Sequence, residues 1–404
     1  MASRMSLKSF LVTARQALLA PLPQRPKPLS FVVGNESADL DSLCSALILA
    51  YFRTHTPPHT LHIPLCNLPR ADLALRPELT AALNPAGLQP DDLITISDLP
   101  KDGLAPQDTR WFLVDHNVLT GDLATTFSDT SLIVGCIDHH DDEGSIPQNL
   151  PPEQPRVIAK CGSCMSLVLE HCREIWDRLT AENGGGGADA EQEEDAALAR
   201  VALAPILMDT SNLTSRDKTT DRDVRAVELA ESKLGRGPYD RTAYYGQLAQ
   251  LKEQIQGLSY RDILRKDYKR WSDGSLALGV SSVVQGFAYL FREIGDKAEF
   301  LAALSSWARE QRLDIAAVMT TSRPDVVFTR ELLVWGLNKE AGDVVKEFER
   351  KYGDSLGLEK WGGGELDGKD GGGWRACWRQ RKVEHSRKQV APMLREVMRE
   401  SARL

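Results

Sequence analysis

Four short acidic motifs hold the residues of this chain best suited to chemistry. They read Gly34-Asn35-Glu36-Ser37-Ala38-Asp39-Leu40-Asp41, Leu113-Val114-Asp115-His116-Asn117, Gly135-Cys136-Ile137-Asp138-His139-His140 and Leu207-Met208-Asp209-Thr210-Ser211-Asn212. Each follows an apolar run read as the end of a strand. A carboxylate buried at such an end is costly unless it is paired. Several carboxylates and imidazoles gathered in one place repel each other unless cations lie between them. Carboxylate oxygens with one or two histidine nitrogens suit Mg²⁺ or Mn²⁺ rather than a thiolate-bound metal. Taken singly, an Asp at a strand end is commonly a helix cap, and Asp39 and Asp41 sit where a helix would start. Four such ends in one domain argue for a shared site.

The elements that must position them follow from periodicity. Phe31–Gly34, Leu61–Leu65, Leu93–Ile96, Trp111–Asp115 and Leu132–Asp138 read as strands, each a short apolar run before a polar turn. Helical stretches alternate with them at Asp41–Phe52 and Asp72–Leu83, and then at Gly162–Leu179 and Arg222–Ser232. That alternation predicts a doubly wound parallel sheet, with ligands at the C-terminal edges of its strands. Ala181–Asp195, with four glycines and an acidic run, reads as a flexible surface insertion. The break at Leu234–Pro238 sets the expected boundaries: 1–29 as an N-terminal helix and Pro-rich connector, 30–236 as the catalytic domain, and 237–404 as a second domain. There, strands are expected near Leu276–Val284, Asp314–Met319, Val326–Trp335 and Trp374–Trp378, and helices at Tyr244–Gln256, Ala341–Tyr352 and Ser386–Met398.

Composition narrows the function. With 404 residues, 42% hydrophobic and 26% charged, the chain is long enough for two or three domains and too apolar to be disordered throughout. No apolar run reaches the ~20 residues of a membrane span. The charge of 49 − 57 = −8 speaks against a general nucleic-acid binder. Seven scattered cysteines and no secretory signal fit reduced thiols and a cytoplasmic placement. The first acid is Glu36, so the basic N-terminus also resembles a mitochondrial targeting segment; the simpler expectation is a helix over Ser6–Leu19. Cys161-Gly-Ser-Cys164 lacks a ligand set for zinc and reads as a strand-to-helix turn.

Asp138-His139-His140 and the order of the four motifs resemble the DHH phosphoesterase superfamily. Asp267-Tyr268-Lys269-Arg270-Trp271 and Ser386-Arg387-Lys388-Gln389 resemble the two basic motifs of the DHHA2 domain. Within the superfamily, Asn35-Glu36-Ser37-Ala38-Asp39-Leu40-Asp41 is similar to fungal cytosolic exopolyphosphatases, where family II pyrophosphatases carry His in place of Asn35. The resemblance implies an α/β protein: a doubly wound parallel-sheet DHH domain, a smaller mixed-sheet DHHA2 domain, and an active site in the cleft between them. It implies two divalent cations, Mg²⁺ or Mn²⁺ with Co²⁺ as a further candidate, held by Asp39, Asp41, Asp115, His139 and Asp209. His140 is the implied catalytic residue, and Asn35, Lys269, Arg387 and Lys388 the implied substrate contacts. An amide oxygen at Asn35, a weaker donor than imidazole, favours Mg²⁺. The expected function is an exopolyphosphatase that removes terminal phosphate from linear inorganic polyphosphate, with no membrane or nucleic-acid partner. A family II-type inorganic pyrophosphatase and a prune-like interaction protein with weak phosphoesterase activity are the alternatives.

Overall fold

The computed structural model describes residues 4–100, 103–151, 154–181, 188–324, 327–369 and 372–401. The chain divides into two compact units, Met1–Lys252 and Glu253–Leu404. The first contains β1 (Leu29–Val33), β2 (His62–Leu65), β3 (Thr109–Val114), β4 (Ile133–Asp138) and β5 (Arg156–Ile158). All pair parallel in the order β2-β1-β3-β4-β5. Its helices are α1 (Leu7–Leu19), α2 (Leu40–Thr54), α3 (Pro77–Leu83), α4 (Gly121–Thr126), α5 (Cys164–Ala181), α6 (Ala188–Asp209), α7 (Asp221–Ser232) and α8 (Arg241–Glu253).

Parallel strands buried on both faces read as unbroken apolar runs. Val32, Phe112, Val114 and Ile137 face α2, α5, α6 and α7, while Phe31, Val33, Trp111, Leu113 and Cys136 face the other way, toward α1 and α4. The chain after Leu234–Pro238 continues into α8, whose Leu248 joins the first-unit core and whose Tyr244 hydroxyl reaches the Arg200 carbonyl. The expected strand at Leu93–Ile96 is an isolated bridge from Cys66 to Thr95. Asp98 accepts the Thr95 N–H and hydroxyl at 2.7 and 3.0 Å and turns the chain away from extension.

Two further expectations are corrected here. Leu207–Asp209 ends a helix, not a strand: the second half of α6 is buried on nearly every side, with Leu198, Val201, Leu203, Ile206 and Leu207 at 0% exposure, and such a helix carries the same continuous apolar signal as a buried strand. The acidic run at the end of 181–195 is not a loose insertion. From Ala188 it is the start of α6; Glu182–Gly187, with the four glycines, lies outside the described residues. Asp195 is buried and accepts from Arg4 at 2.7 Å, Trp176 Nε1 at 2.8 Å and Thr180 Oγ1 at 2.8 Å.

In the second unit, β6 (Tyr268–Asp273), β7 (Leu276–Val283), β8 (Ile315–Ser322), β9 (Thr329–Gly336), β10 (Leu358–Lys360) and β11 (Trp374–Gln380) form a mixed sheet in the order β10-β11-β9-β8-β7-β6. Only β7 and β8 pair parallel. Leu278, Val280, Ile315, Ala317, Leu332, Val334 and Trp378 face α12 (Lys339–Leu356) and α13 (Arg387–Ser401). Ala277, Ala316, Val318, Leu333 and Cys377 face α9 (Tyr260–Lys266), α10 (Phe287–Glu293) and α11 (Lys297–Glu310). Strand β6 was not expected: it is a half-exposed edge strand without apolar alternation.

Helix α1 is capped by Ser6, which accepts from Ser9 N at 3.2 Å, and buries Leu7, Phe10, Leu11, Ala14 and Leu18. A Phe10→Ala substitution is expected to destabilise the first unit by about 3–5 kcal/mol in urea unfolding. A change below about 0.5 kcal/mol, the size of a surface substitution, would mean that α1 is an appendage.

Candidate active site

The strand order reverses direction between β1 and β3, and in an open parallel sheet that crevice is where ligands bind. Asn35 follows β1 by two residues, Asp115 directly follows β3, and Asp138 ends β4 before His139 and His140. Gly34 makes the first turn feasible: a Cβ there would lie 2.6 Å from Ser42 Cβ. The end of β1 therefore rests on the first turn of α2. Asp39 caps that helix, accepting from Ser42 N at 3.1 Å. Arg76, itself buried, donates to the carbonyls of Ser37 and Ala38, each at 2.7 Å, and holds Ala38 at φ 45°.

Neutral donors hold the carboxylates. Asp115 Oδ2 accepts from Asn35 Nδ2 at 2.7 Å and Ser42 Oγ at 2.6 Å. Asn35 Oδ1 in turn accepts from Ser37 N at 2.9 Å and Ser37 Oγ at 2.6 Å, so both ends of the amide are engaged. Asp41 sits at the start of α5: Oδ2 accepts from Cys164 N at 2.6 Å, and Oδ1 from Met165 N at 2.9 Å and Ser163 Oγ at 2.8 Å. That is where a helix presents unpaired N–H groups to an anion. Burial pushes the Asp41 carboxyl well above its usual range, and the charges of Asp115, Asp209 and Asp39 push it further.

The histidines complete the cluster. His139 Nδ1 lies 3.2 Å from the Cys161 carbonyl, while Nε2 lies 3.2 Å from Asp115 Oδ1 and 3.8 Å from Asp41 Oδ2. With Nδ1–H on the carbonyl, the lone pair of Nε2 faces carboxylate oxygens, an arrangement that a shared cation satisfies. His140 Nδ1 bonds to Asp138 Oδ1 at 2.8 Å and lies 3.6 Å from Asp115 Oδ1. Burial opposes the Asp138 charge, but His140 outweighs it and brings the carboxyl down to about 2. Asn117 Nδ2 fixes the other Asp138 oxygen at 2.6 Å.

Donor atoms of Asp115, His139 and His140 lie within 4.8 Å of one another. Hard oxygens, imidazole nitrogens and an Asp41 charge disfavoured by three neighbouring carboxylates together fit a divalent cation. Asp39 and Asp209 reach this cluster through their effect on Asp41. Asp209 ends α6, just before Ser211, Asn212 and Leu213, which are all left-handed with φ 51°, 57° and 63°. Three consecutive left-handed non-glycine residues are strained, and such strain concentrates at functional sites.

The second unit gathers its own basic residues. Arg387 donates through Nη2 to Asp267 Oδ1 at 2.7 Å and through Nη1 to the Asp267 carbonyl at 3.1 Å. This joins the Asp267–Trp271 motif, with Lys269 on β6, to Arg387 and Lys388 at the start of α13. Asp223, absent from the candidate residues of the sequence, has a structural role in the first unit. It caps α7 with Thr220, and it also accepts from Gly162 N at 2.9 Å, Ser163 N at 3.2 Å and Ser166 Oγ at 2.6 Å. It therefore shapes the turn that presents Ser163 and Cys164 to Asp41. Gly162 fits there because a Cβ would come within 2.6 Å of Thr210 Cγ2.

The DHH family N-terminal domain matches residues 30–206, and the DHHA2 domain matches residues 246–397. A Schizosaccharomyces pombe protein named "Putative exopolyphosphatase" is 31% identical over 404 residues, 99% of this chain and 97% of that protein. Human "Exopolyphosphatase PRUNE1" is 28% identical over 78% of this chain, and the match spans 63% of that protein's length. Among solved structures, a Methanococcus jannaschii protein described as "putative family II inorganic pyrophosphatase" aligns over 92% of this chain and 99% of its own, with TM-score 0.55 and 20% identity. That likeness is one of fold.

The Asp138–His140 pair sets a pH dependence. A carboxyl lowered from 3.8 to about 2 stabilises the fold above its unfolded value and loses that contribution as pH falls through its folded one. In EDTA, His140→Ala is expected to be less stable than the parent by about 2 kcal/mol between pH ~4 and ~6, where carboxylate and imidazolium are both charged, with the gap closing toward pH ~2. A gap in urea unfolding that does not change with pH would remove this role from the pair.

Proposed function

The chain belongs to the DHH family and carries a DHHA2 domain, and on that premise we propose that it is a divalent-cation-dependent exopolyphosphatase. It would release terminal orthophosphate from linear inorganic polyphosphate. The observation that carries this reading is the meeting of Asp41, Asp115, His139 and His140 at the β1/β3 crevice, in a chain whose full-length relative bears an exopolyphosphatase name. Asp39, Asp41, Asp115, His139 and Asp209 would hold two cations, Mg²⁺ or Mn²⁺. Such cations supply charge neutralisation for phosphoryl oxygens and Lewis acidity toward water.

The side chains do the remaining work. Asp138 fixes the His140 ring through Nδ1 and stays ionised, so it stabilises an imidazolium at His140. His140 would give its proton to the bridging oxygen as the terminal P–O bond breaks and a water oxygen bonds to phosphorus, and the proton that water sheds would restore the imidazolium. Asn35 would act on the centre by orienting Asp115, because its amide already binds Asp115 and Ser37. Lys269, Arg387 and Lys388 would neutralise phosphate charge, Arg387 as a planar fork set by Asp267. No helix among the described residues is long and apolar enough to cross a membrane; the proposed working place is the cytoplasm.

Phosphate release from long polyphosphate and from pyrophosphate, measured side by side with Mg²⁺ or Mn²⁺, tests the reading. Polyphosphate is expected to be the faster substrate, and His140→Ala to lower kcat by about 10²–10⁴-fold. Faster pyrophosphate cleavage would reassign the chain as a pyrophosphatase. Absence of phosphate from either substrate would leave the interaction-protein reading.

A second outcome concerns Asn35. Asn35→Ala is expected to weaken divalent-cation affinity about 10–100-fold in calorimetric titration, with activity returning as the metal concentration rises. Unchanged metal affinity would place Asn35 elsewhere in the reaction.

A further inference from the structure

A cavity of about 110 Å³ lies between α5 and α7. Glu170 and Arg173 on α5 line it, with Arg222 and Arg225 on α7 and Ser166 at its inner end. By the same measure one water needs only about 10–15 Å³, so there is room for a small polyatomic ion. Three guanidinium groups share this space with one carboxylate. Glu170 pairs with Arg222. Arg173 and Arg225 have no ion-pair partner among the described residues. Arg222 and Arg225 are three apart on one helix, where like charges repel. Arg222 lies in the first turn of α7, whose dipole favours an anion, beside Asp221 and Asp223. None of these residues belongs to the acidic cluster at the strand ends.

We propose that this cavity is a binding site for a small phosphate oxyanion, with Arg173 and Arg225 as its main donors. Arg173 on α5 and Arg225 on α7 are exposed at the groove, free to turn their guanidinium groups onto the oxygens of orthophosphate or of one end of pyrophosphate, and each such contact would be a charge-assisted hydrogen bond. The groove is open to solvent on one side, and its three guanidinium groups select against cations by charge. The ion would also have a short route to the centre already described. Ser166, at the inner end, donates to Asp223, and Asp223 holds the Gly162 and Ser163 N–H groups of the turn that grips Asp41. The site stands on its own residues and does not depend on which phosphoanhydride the chain cleaves.

The test is calorimetric titration of the full chain with inorganic phosphate in EDTA, at fixed ionic strength. Without divalent cations the acidic cluster repels phosphate, so the α5–α7 cavity should dominate the signal. One saturable event is expected. Arg173→Ala/Arg225→Ala should weaken it at least about tenfold, while Arg387→Ala/Lys388→Ala should leave it unchanged. Glu170→Gln should tighten it several-fold, a gain that misfolding does not produce. Pyrophosphate run in parallel identifies the better-fitting oxyanion, and sulfate separates a phosphate site from a general anion site. No saturable binding to the parent chain, loss of binding with Arg387 and Lys388, or indifference to both cavity variants would each overturn the proposal.

Discussion

Everything in the first unit is arranged around carboxylates that repel one another. Asp41, Asp115, Asp39 and Asp209 act on one small region, and Asp41 is buried there among the charges of the other three. The fold offsets the cost with neutral donors. The open end of α5 supplies two N–H groups to Asp41, and Asn35 and Ser42 secure Asp115. Such donors fix positions without cancelling charge. The cluster is therefore held in place and left electrostatically incomplete, the condition in which an acidic site binds cations.

The strand ends were legible in the sequence because parallel strands buried on both faces announce themselves as apolar runs, and a polar residue ending such a run is conspicuous. Asp115 and Asp138 needed nothing more. Asp209 was legible as a motif and misassigned as an element, since a helical stretch buried on nearly every side carries no amphipathic period. Lys269, Arg387 and Lys388 were singled out by motif alone. The bond from Arg387 to Asp267 spans 120 residues of sequence, and spacing cannot reveal it.

The supporting layer was hardest to read. Asp223 closes a Thr-x-x-Asp capping box, a complete explanation for that residue until the fold brings Gly162, Ser163 and Ser166 onto the same carboxylate. Arg76 carries no motif at all, yet it grips two carbonyls of the first acidic loop. Residues of this kind act through backbone groups of distant segments, and backbone groups have no sequence signature.

The tie between Arg4 and Asp195 has a consequence for how the polypeptide is made. The two residues lie 191 positions apart, and α1 buries its apolar face among elements that include α2 and α6. At synthesis rates of about 5–20 residues per second, Asp195 follows Arg4 out of the ribosome by roughly 10–40 s. During that interval Leu7, Phe10 and Leu11 have no completed surface to cover them. The nascent chain therefore carries an uncovered apolar helix during that interval, and the second half of the unit must arrive before the first half is safe from strangers.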